Sequence, residues 1–236
     1  MPRLDRILAS LGYGSRKEVR GLVADGKVAV QGAIAKDPGT QVEPGAVTVE
    51  GEPLDHPTSL LLLMNKPLGR VCSQSVAEGP RVIDLLPERW RARNPTVTTV
   101  GRLDKETTGV LLLTDLPEIV HRLTSPKRKV AKVYRALLDR PPPKDSIETF
   151  ASGRLLLAGE TLACAPAEMR IIGDREAECV LTEGRYHQVR RMFAAVGCTV
   201  LALHRARFGP FDESGLAPGE WREIDFKVLL DNGLYP

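Results

Sequence analysis

The chain has 236 residues, of which 42% are hydrophobic and 27% charged, with a formal net charge of +3. That balance excludes a disordered chain, and the longest apolar run, Leu60 to Met64, is strand-sized and too short to span a bilayer. The length suits one small and one larger domain, the larger able to bury a proper core. Cys72, Cys164, Cys179 and Cys198 are widely spaced and form no Cys-x-x-Cys pair. They read as reduced core thiols rather than a disulfide or a zinc site. No apolar leader precedes the first charged amphipathic segment, so a cytoplasmic protein is expected.

In chain order, Leu4, Ile7, Leu8 and Leu11 fall at helical spacing, and Gly12 and Gly14 close that helix. A second helix starts at once: Ser15 with Glu18 makes a capping box, Val19, Leu22 and Val23 form its buried stripe, and Gly26 stops it. Lys27 to Gly32 and Val47 to Gly51 each read as a short strand and turn. Two helices and a hairpin make a compact unit in whose first thirty residues Arg3, Arg6, Arg16, Lys17, Arg20 and Lys27 outnumber Asp5, Glu18 and Asp25. Arg3-Leu4-Asp5, Gly12, Ser15-Arg16 and Gly26-x-Val28-x-Val30-x-Gly32 resemble the S4 RNA-binding domain. The resemblance implies RNA contacts from Arg3, Arg16, Lys17 and Arg20. Gln31 departs from it, standing where the family usually has Asn.

The stretch Glu52 to Ser59, with two prolines and no apolar period, predicts an exposed linker that lets the small unit dock RNA independently. The expected division is 1–58 for the S4-like domain and linker and 59–236 for the catalytic domain. Leu60 to Met64 then predicts a buried strand, and Asn65-Lys66-Pro67-Leu68-Gly69 a turn. Thr96 to Val100 and Val110 to Thr114 read as buried strands, with Gly101 and Gly109 bracketing a polar loop that carries Asp104. Leu116 to Leu123 reads as a helix, Val130 to Leu138 as a strand showing Val130, Lys132, Tyr134 and Ala136 on one face, and Lys144 to Ala151 as a helix. Leu155 to Leu157, Ala167 to Ile172 and Ala177 to Thr182 read as strands, and Val189, Met192, Phe193 and Val196 as the apolar face of a helix. The pattern is that of an α+β domain with a mixed, mainly antiparallel sheet.

Charge is unevenly spread. From Arg185 to Arg207 there are five Arg and no Asp or Glu, and from Ile119 to Arg140 seven Lys or Arg against one Asp. Such blocks fit a polyanion surface or, equally, a solvated basic face.

Taken alone, Asp104 beside Arg102 and Lys105 could be an ordinary ion-paired turn residue. The whole string Gly101-Arg-Leu-Asp-Lys-Glu-Thr-Thr-Gly-Val-Leu-Leu-Leu-Thr114 resembles the catalytic motif of the pseudouridine synthases. Asn65-Lys66-Pro67 and Lys132-x-Tyr134 resemble further elements of that family. Glu183-Gly-Arg-Tyr-His-Gln-Val-x-Arg-Met-Phe193, Leu203-His204-Arg205 and Phe208-Gly209 resemble its branch acting on small-subunit ribosomal RNA.

The resemblance implies Asp104 as the carboxylate acting on the sugar-base bond, Arg190 as the cation keeping it ionised and aimed, and Tyr134 as stacking ring and proton acceptor. Arg102, Lys132, Arg185 and Val189 are expected to bind the substrate. The implied substrate is a uridine of 16S ribosomal RNA, family-typically uridine 516, on free RNA or a small-subunit assembly intermediate. An enzyme acting on 23S RNA and a non-catalytic RNA-binding assembly protein are the alternatives. Because the reaction is an isomerisation, no cofactor or metal is expected, and a monomer without membrane attachment suffices. Asp104 with Glu106 could also be spaced like a glycosidase pair, although the basic blocks favour RNA. His121, His187 and His204 lack ligand-like spacing and read as surface or hydrogen-bonding residues.

Overall fold

The computed structural model describes residues 1–213 and 215–235. Helices α1 (Leu4–Ser10) and α2 (Arg16–Ala24) share one apolar core with strands β1 (Val28–Val30), β2 (Ala33–Ile34), β3 (Val47–Val49) and β4 (Glu52–Pro53), whose sheet runs β2-β1-β3-β4. The capping box forms as expected: Glu18 N–H donates to Ser15 Oγ at 3.3 Å and Ser15 N–H to Glu18 Oε2 at 2.7 Å. Between the paired residues Val30 and Ala33, Gln31 (φ 50°) and Gly32 (φ 79°) both have positive φ. This is the tight hairpin turn that Asn-Gly fills with least strain.

The second unit is built on β5 (Leu61–Lys66), α3 (Glu88–Arg91), β6 (Thr98–Thr99), β7 (Thr107–Thr114), α4 (Pro117–Thr124), β8 (Lys132–Leu138), α5 (Ser146–Ala151), β9 (Glu168–Gly173), β10 (Glu176–Leu181), α6 (Gln188–Ala195), β11 (Val200–Phe208), β12 (Phe211–Asp212), β13 (Trp221–Glu223) and α7 (Lys227–Asp231). Its main sheet runs β13-β5-β7-β11-β8-β10-β9, with β6 on β7 and β12 on β11. Only the β7–β11 pair is parallel among the described strands, giving the mixed, mainly antiparallel sheet expected. Strands β5 and β7 are buried on both faces: Leu62, Met64, Leu111 and Leu113 enter one core, and Leu61, Leu63, Val110 and Leu112 another with Ile119, Leu123 and Leu229. Two-sided burial explains why they read as continuous apolar runs. At about 1.5–3 kcal/mol per buried aliphatic side chain, this pair anchors the sheet.

Three expectations need correction. Leu155 to Leu157 joins no ladder; it is a segment of the chain pinned by Cys164 N–H to Leu155 O at 2.7 Å. Gly109 does not close the Asp104 loop but lies inside β7 at φ 104°, because a Cβ there would overlap the Arg205 carbonyl across the parallel pair. Nor is the proline-containing stretch a free tether. Leu54 is buried in the first core, Trp90 Nε1–H donates to Asp55 at 3.3 Å, and the buried Arg93 binds Thr58 O and Asp115 at 2.8 Å and also His56 O. Tyr13 links the two units directly, accepting from Asp55 N–H at 2.9 Å beneath the Arg89 guanidinium 4.2 Å from its ring. No helix among the described residues is long and apolar enough to cross a membrane.

Candidate active site

A cavity of about 520 Å³ opens beside the β7–β11–β8 portion of the sheet. Lys132 and Tyr134 of β8 and Leu203, Arg205 and Phe208 of β11 line its floor; Gly101 to Asp104 and Thr107 form one wall, Glu183 to Val189 the other, and Thr124 to Pro126 part of the rim.

Asp104 is half-buried on a loop whose backbone is held residue by residue. Leu103 N–H donates to Cys72 Sγ at 3.4 Å, and Thr107 N–H donates to Asp104 O at 3.0 Å. Lys105 O accepts from Gly69 N–H at 2.9 Å, and Glu106 O from Arg190 Nη2 at 3.0 Å. Beneath them the fully buried Lys66 ammonium reaches Thr107 O at 2.8 Å, Pro67 O at 3.1 Å and Lys105 O at 3.4 Å. Burial lowers its pKa, while Cys72, Asp104 and Glu106 pull it back. The Asn-Lys-Pro turn is therefore the seat of the loop. A carboxylate so carried cannot wander, which is what positioning for attack requires.

The structure redraws the electrostatics around Asp104. Arg190 does not pair with it: besides Glu106 O, its guanidinium donates to Val200 O at 3.0 Å, so it fastens the loop to β11 and α6. The side chain that meets the carboxylate is the imidazole of His187, with Nε2 3.5 Å from Asp104 Oδ1. His187 sits at φ 48° before α6 and stacks on the exposed Tyr186 at 3.9 Å.

Arg185 lines the cavity, but its donors are engaged by Glu160 (2.6 Å), Leu162 O (2.7 Å), Ala163 O and Glu183 (3.4 Å). Hydrogen bonding to Glu160 raises its pKa, so it is a latch for the 158–164 loop rather than a free substrate contact. Arg191 joins the same latch through Glu160, Ala158 O at 2.7 Å and Tyr186 O at 3.2 Å. Glu106 is exposed and outside the cavity lining, so the glycosidase-like carboxylate pair is not formed.

Other expected residues do converge. Tyr134 is half-buried in the cavity, its hydroxyl without a hydrogen-bond partner among the described residues. Val189 lines the cavity from the first turn of α6, and Arg102 is exposed at the wall beside Asp104. Lys132 lies on the floor with its pKa lowered to about 8, first by burial and then by Arg205. His187 and Arg205 escaped the sequence reading, one judged by metal-ligand spacing and the other only part of a motif. A signal for Arg205 was available: it shares its strand face with Leu203 and is followed three residues on by Phe208. Among the described residues no three His, Cys, Asp or Glu side chains gather in a metal-holding group.

A half-buried Asp on a loop pinned at consecutive backbone groups, opening onto a cavity with an aromatic floor, has the form of an enzyme active site. The profile described as RNA pseudouridylate synthase matches residues 60–195, and that of the S4 domain residues 2–48. The chain is 40% identical over 233 residues to the uncharacterized RNA pseudouridine synthase YtzG of Bacillus subtilis (strain 168), covering 96% of each. It is 38% identical over 232 residues to ribosomal small subunit pseudouridine synthase A of Escherichia coli (strain K12), covering 94% of this chain and 96% of that one. A crystal structure of a pseudouridylate synthase superposes with a TM-score of 0.69 at 30% identity over the whole of both chains. The chain belongs to the RNA pseudouridine synthase family and carries an S4 domain ahead of the synthase fold; it is an isomerase.

Proposed function

We propose that the protein converts a uridine of 16S ribosomal RNA to pseudouridine, as free RNA or a small-subunit assembly intermediate, with uridine 516 the finer reading of the target. Residues 1–58 dock RNA, residues 59–236 perform the chemistry, and one chain suffices. The single observation that carries the roles is the Asp104 loop, pinned at consecutive backbone groups and opening onto a cavity lined by Tyr134 and Val189. In this reading the target nucleotide leaves its stack at a cost of about a few kcal/mol, offset by phosphate contacts. Arg102 at the wall and Lys127, Arg128 and Lys129 beyond the rim are exposed and have no carboxylate partner among the described residues, as such contacts require.

The uracil stacks on Tyr134 against Val189, Asp104 acts at C1′, and the Tyr134 hydroxyl takes a proton during rearrangement. Arg190 serves as a positioning residue, acting through the Glu106 carbonyl. Of the small-subunit and large-subunit readings, the relatives named as small-subunit synthases support the former.

Mapping pseudouridine in 16S and 23S RNA from cells with and without the protein tests the target. A mark lost from 23S RNA would overturn it. Asp104→Asn tests the chemistry: folding and RNA affinity persist and isomerisation stops, whereas appreciable turnover would remove Asp104 from its role. Tyr134→Phe keeps the ring, so single-turnover rates should fall about 100-fold or more at near-constant affinity.

A further inference from the structure

Two cations share the cavity floor, and among the described residues neither forms a salt bridge. Arg205 is 2% exposed. Its Nε–H donates to Val110 O at 2.8 Å, while Nη2 is buried with no partner among the described residues. An arginine so desolvated ordinarily lies against a carboxylate. The hydrogen bonds of the Lys132 ammonium among the described residues go to two carbonyls, Val130 O at 3.3 Å and Glu183 O at 3.4 Å. The irregularity in β11 between Arg205 and Arg207 breaks strict alternation, so Arg205, opposite Tyr134, and Phe208, opposite Lys132, both face the cavity. Both cations lie beside the Phe208 ring, Arg205 at 5.1 Å and Lys132 at 5.8 Å from its centroid. Burial and then Arg205 depress the Lys132 pKa, and Glu183 pulls it part of the way back.

We propose that Arg205 and Lys132 form a paired-cation subsite for the carbonyl oxygens of the target uracil and receive the negative charge that enters the ring when its bond to the sugar breaks. The inference rests on the reading of Asp104 and Tyr134 above. Heterolysis of the C1′–N1 bond leaves the electron pair on N1, from which it delocalises onto O2 and O4; the Asp104 carboxylate meets the deficit at C1′. After the ring turns, C5 bonds to C1′, the proton on C5 leaves to a base, and N1 takes up a proton. Atoms and electrons balance without any co-reactant. Donors held in place before the reaction stabilise charge that develops only during it, and that accelerates the chemical step rather than tightening binding.

Single-turnover rates for Arg205→Gln and Lys132→Gln on target RNA, with uridine or 5-fluorouridine at the reacting position, test the pair. On uridine, a loss of about 100-fold with RNA affinity within about twofold is expected. On 5-fluorouridine, which has no C5 proton to lose and is followed as cleavage of the C1′–N1 bond rather than as pseudouridine, the loss should be clearly smaller, because the electron-withdrawing fluorine itself stabilises the uracil anion. Equal losses on both substrates would reduce the pair to a structural role. Weakened RNA binding at an unchanged rate would mark a phosphate contact instead, and full activity would remove the subsite altogether; each of these overturns the proposal. Should Arg205→Gln not fold, Lys132→Gln, altered at a partly exposed side chain, carries the comparison, with partial rescue expected in Lys132→Arg. A wild-type enzyme that modifies no uridine would overturn the underlying reading; an active one with variants at full rate would overturn the subsite alone.

Discussion

The basic residues of the small N-terminal unit and those between Arg185 and Arg207 look alike as strings, yet the fold uses them in opposite ways. Arg16 and Lys17 stand exposed on α2, and Arg20 approaches a carboxylate only at 3.9 Å, from Asp5. Arg3 is intermediate, half-exposed but forked onto Asp5 at 2.9 and 3.1 Å. In the later block, Arg185 and Arg191 clamp Glu160, Arg190 holds two carbonyls, and Arg205 is buried on the cavity floor. A run of arginines without acids therefore marks polyanion binding only where the backbone offers no carbonyls and distant segments bring no carboxylates. Here Glu160, before the block in sequence, meets Arg185 and Arg191 in space, and Glu183 meets Arg185.

The strongest way to break this contrast is Arg190→Ala. If the residue holds the loop rather than the substrate, the chemical step should fall by at least about 100-fold and stability by about 1.5–3 kcal/mol, while RNA affinity stays within a few-fold. Denaturant midpoints, single-turnover rates and binding constants decide it; lost affinity with a normal rate would make Arg190 a surface contact after all.

Lys132→Met probes the engaged set from the other side. Lys132 titrates near 8 when folded and near 10.5 when unfolded. Across that window the unfolded chain binds more protons, so wild-type stability should rise from pH 8 to 10.5, and the penalty should be fully present below pH 8. Removing the amine should therefore stabilise the protein at pH 7 by about 1–3 kcal/mol while slowing isomerisation. A flat difference between wild type and variant from pH 7 to 10.5 would contradict it.

For the exposed set, replacing Arg16, Lys17 and Arg20 together with Ala should leave stability within about 0.5 kcal/mol. It should also flatten the dependence of log affinity on log salt by about 2 to 3 units. An unchanged slope would move RNA docking away from α2.

The smallest expected effect lies in the hairpin of the same unit. Gln31→Asn relieves a positive φ and should raise stability by up to about 1 kcal/mol, read as a shift in midpoint with an unchanged denaturant slope.

Legibility follows the same division. Elements set by local rules were readable: the Ser15–Glu18 box, α4, α5, α6, and the apolar runs that became β5 and β7. Features depending on what the sheet brings alongside were not. Gly109 resembles a turn glycine until β11 lies against it, the Glu52 to Ser59 stretch resembles a tether until Arg93 and Trp90 meet it, and Leu155 to Leu157 has strand composition without a neighbouring edge. At the site, the motif identified Asp104, Tyr134 and Val189 as cavity residues, but not who faces whom. The partner given to Asp104 was Arg190, and the geometry supplies His187.

The irregularity on β11 leaves the strand's two sides sensitive to chain length as well as to residue identity. Deleting Ala206, the residue without a partner on β8, would restore unbroken alternation while keeping Arg205 opposite Tyr134, Arg207 opposite Val133 and Phe208 opposite Lys132. Length, there, is itself a determinant of the reaction chamber, and among single-residue deletions along 202–208 the one at Ala206 should cost the least activity.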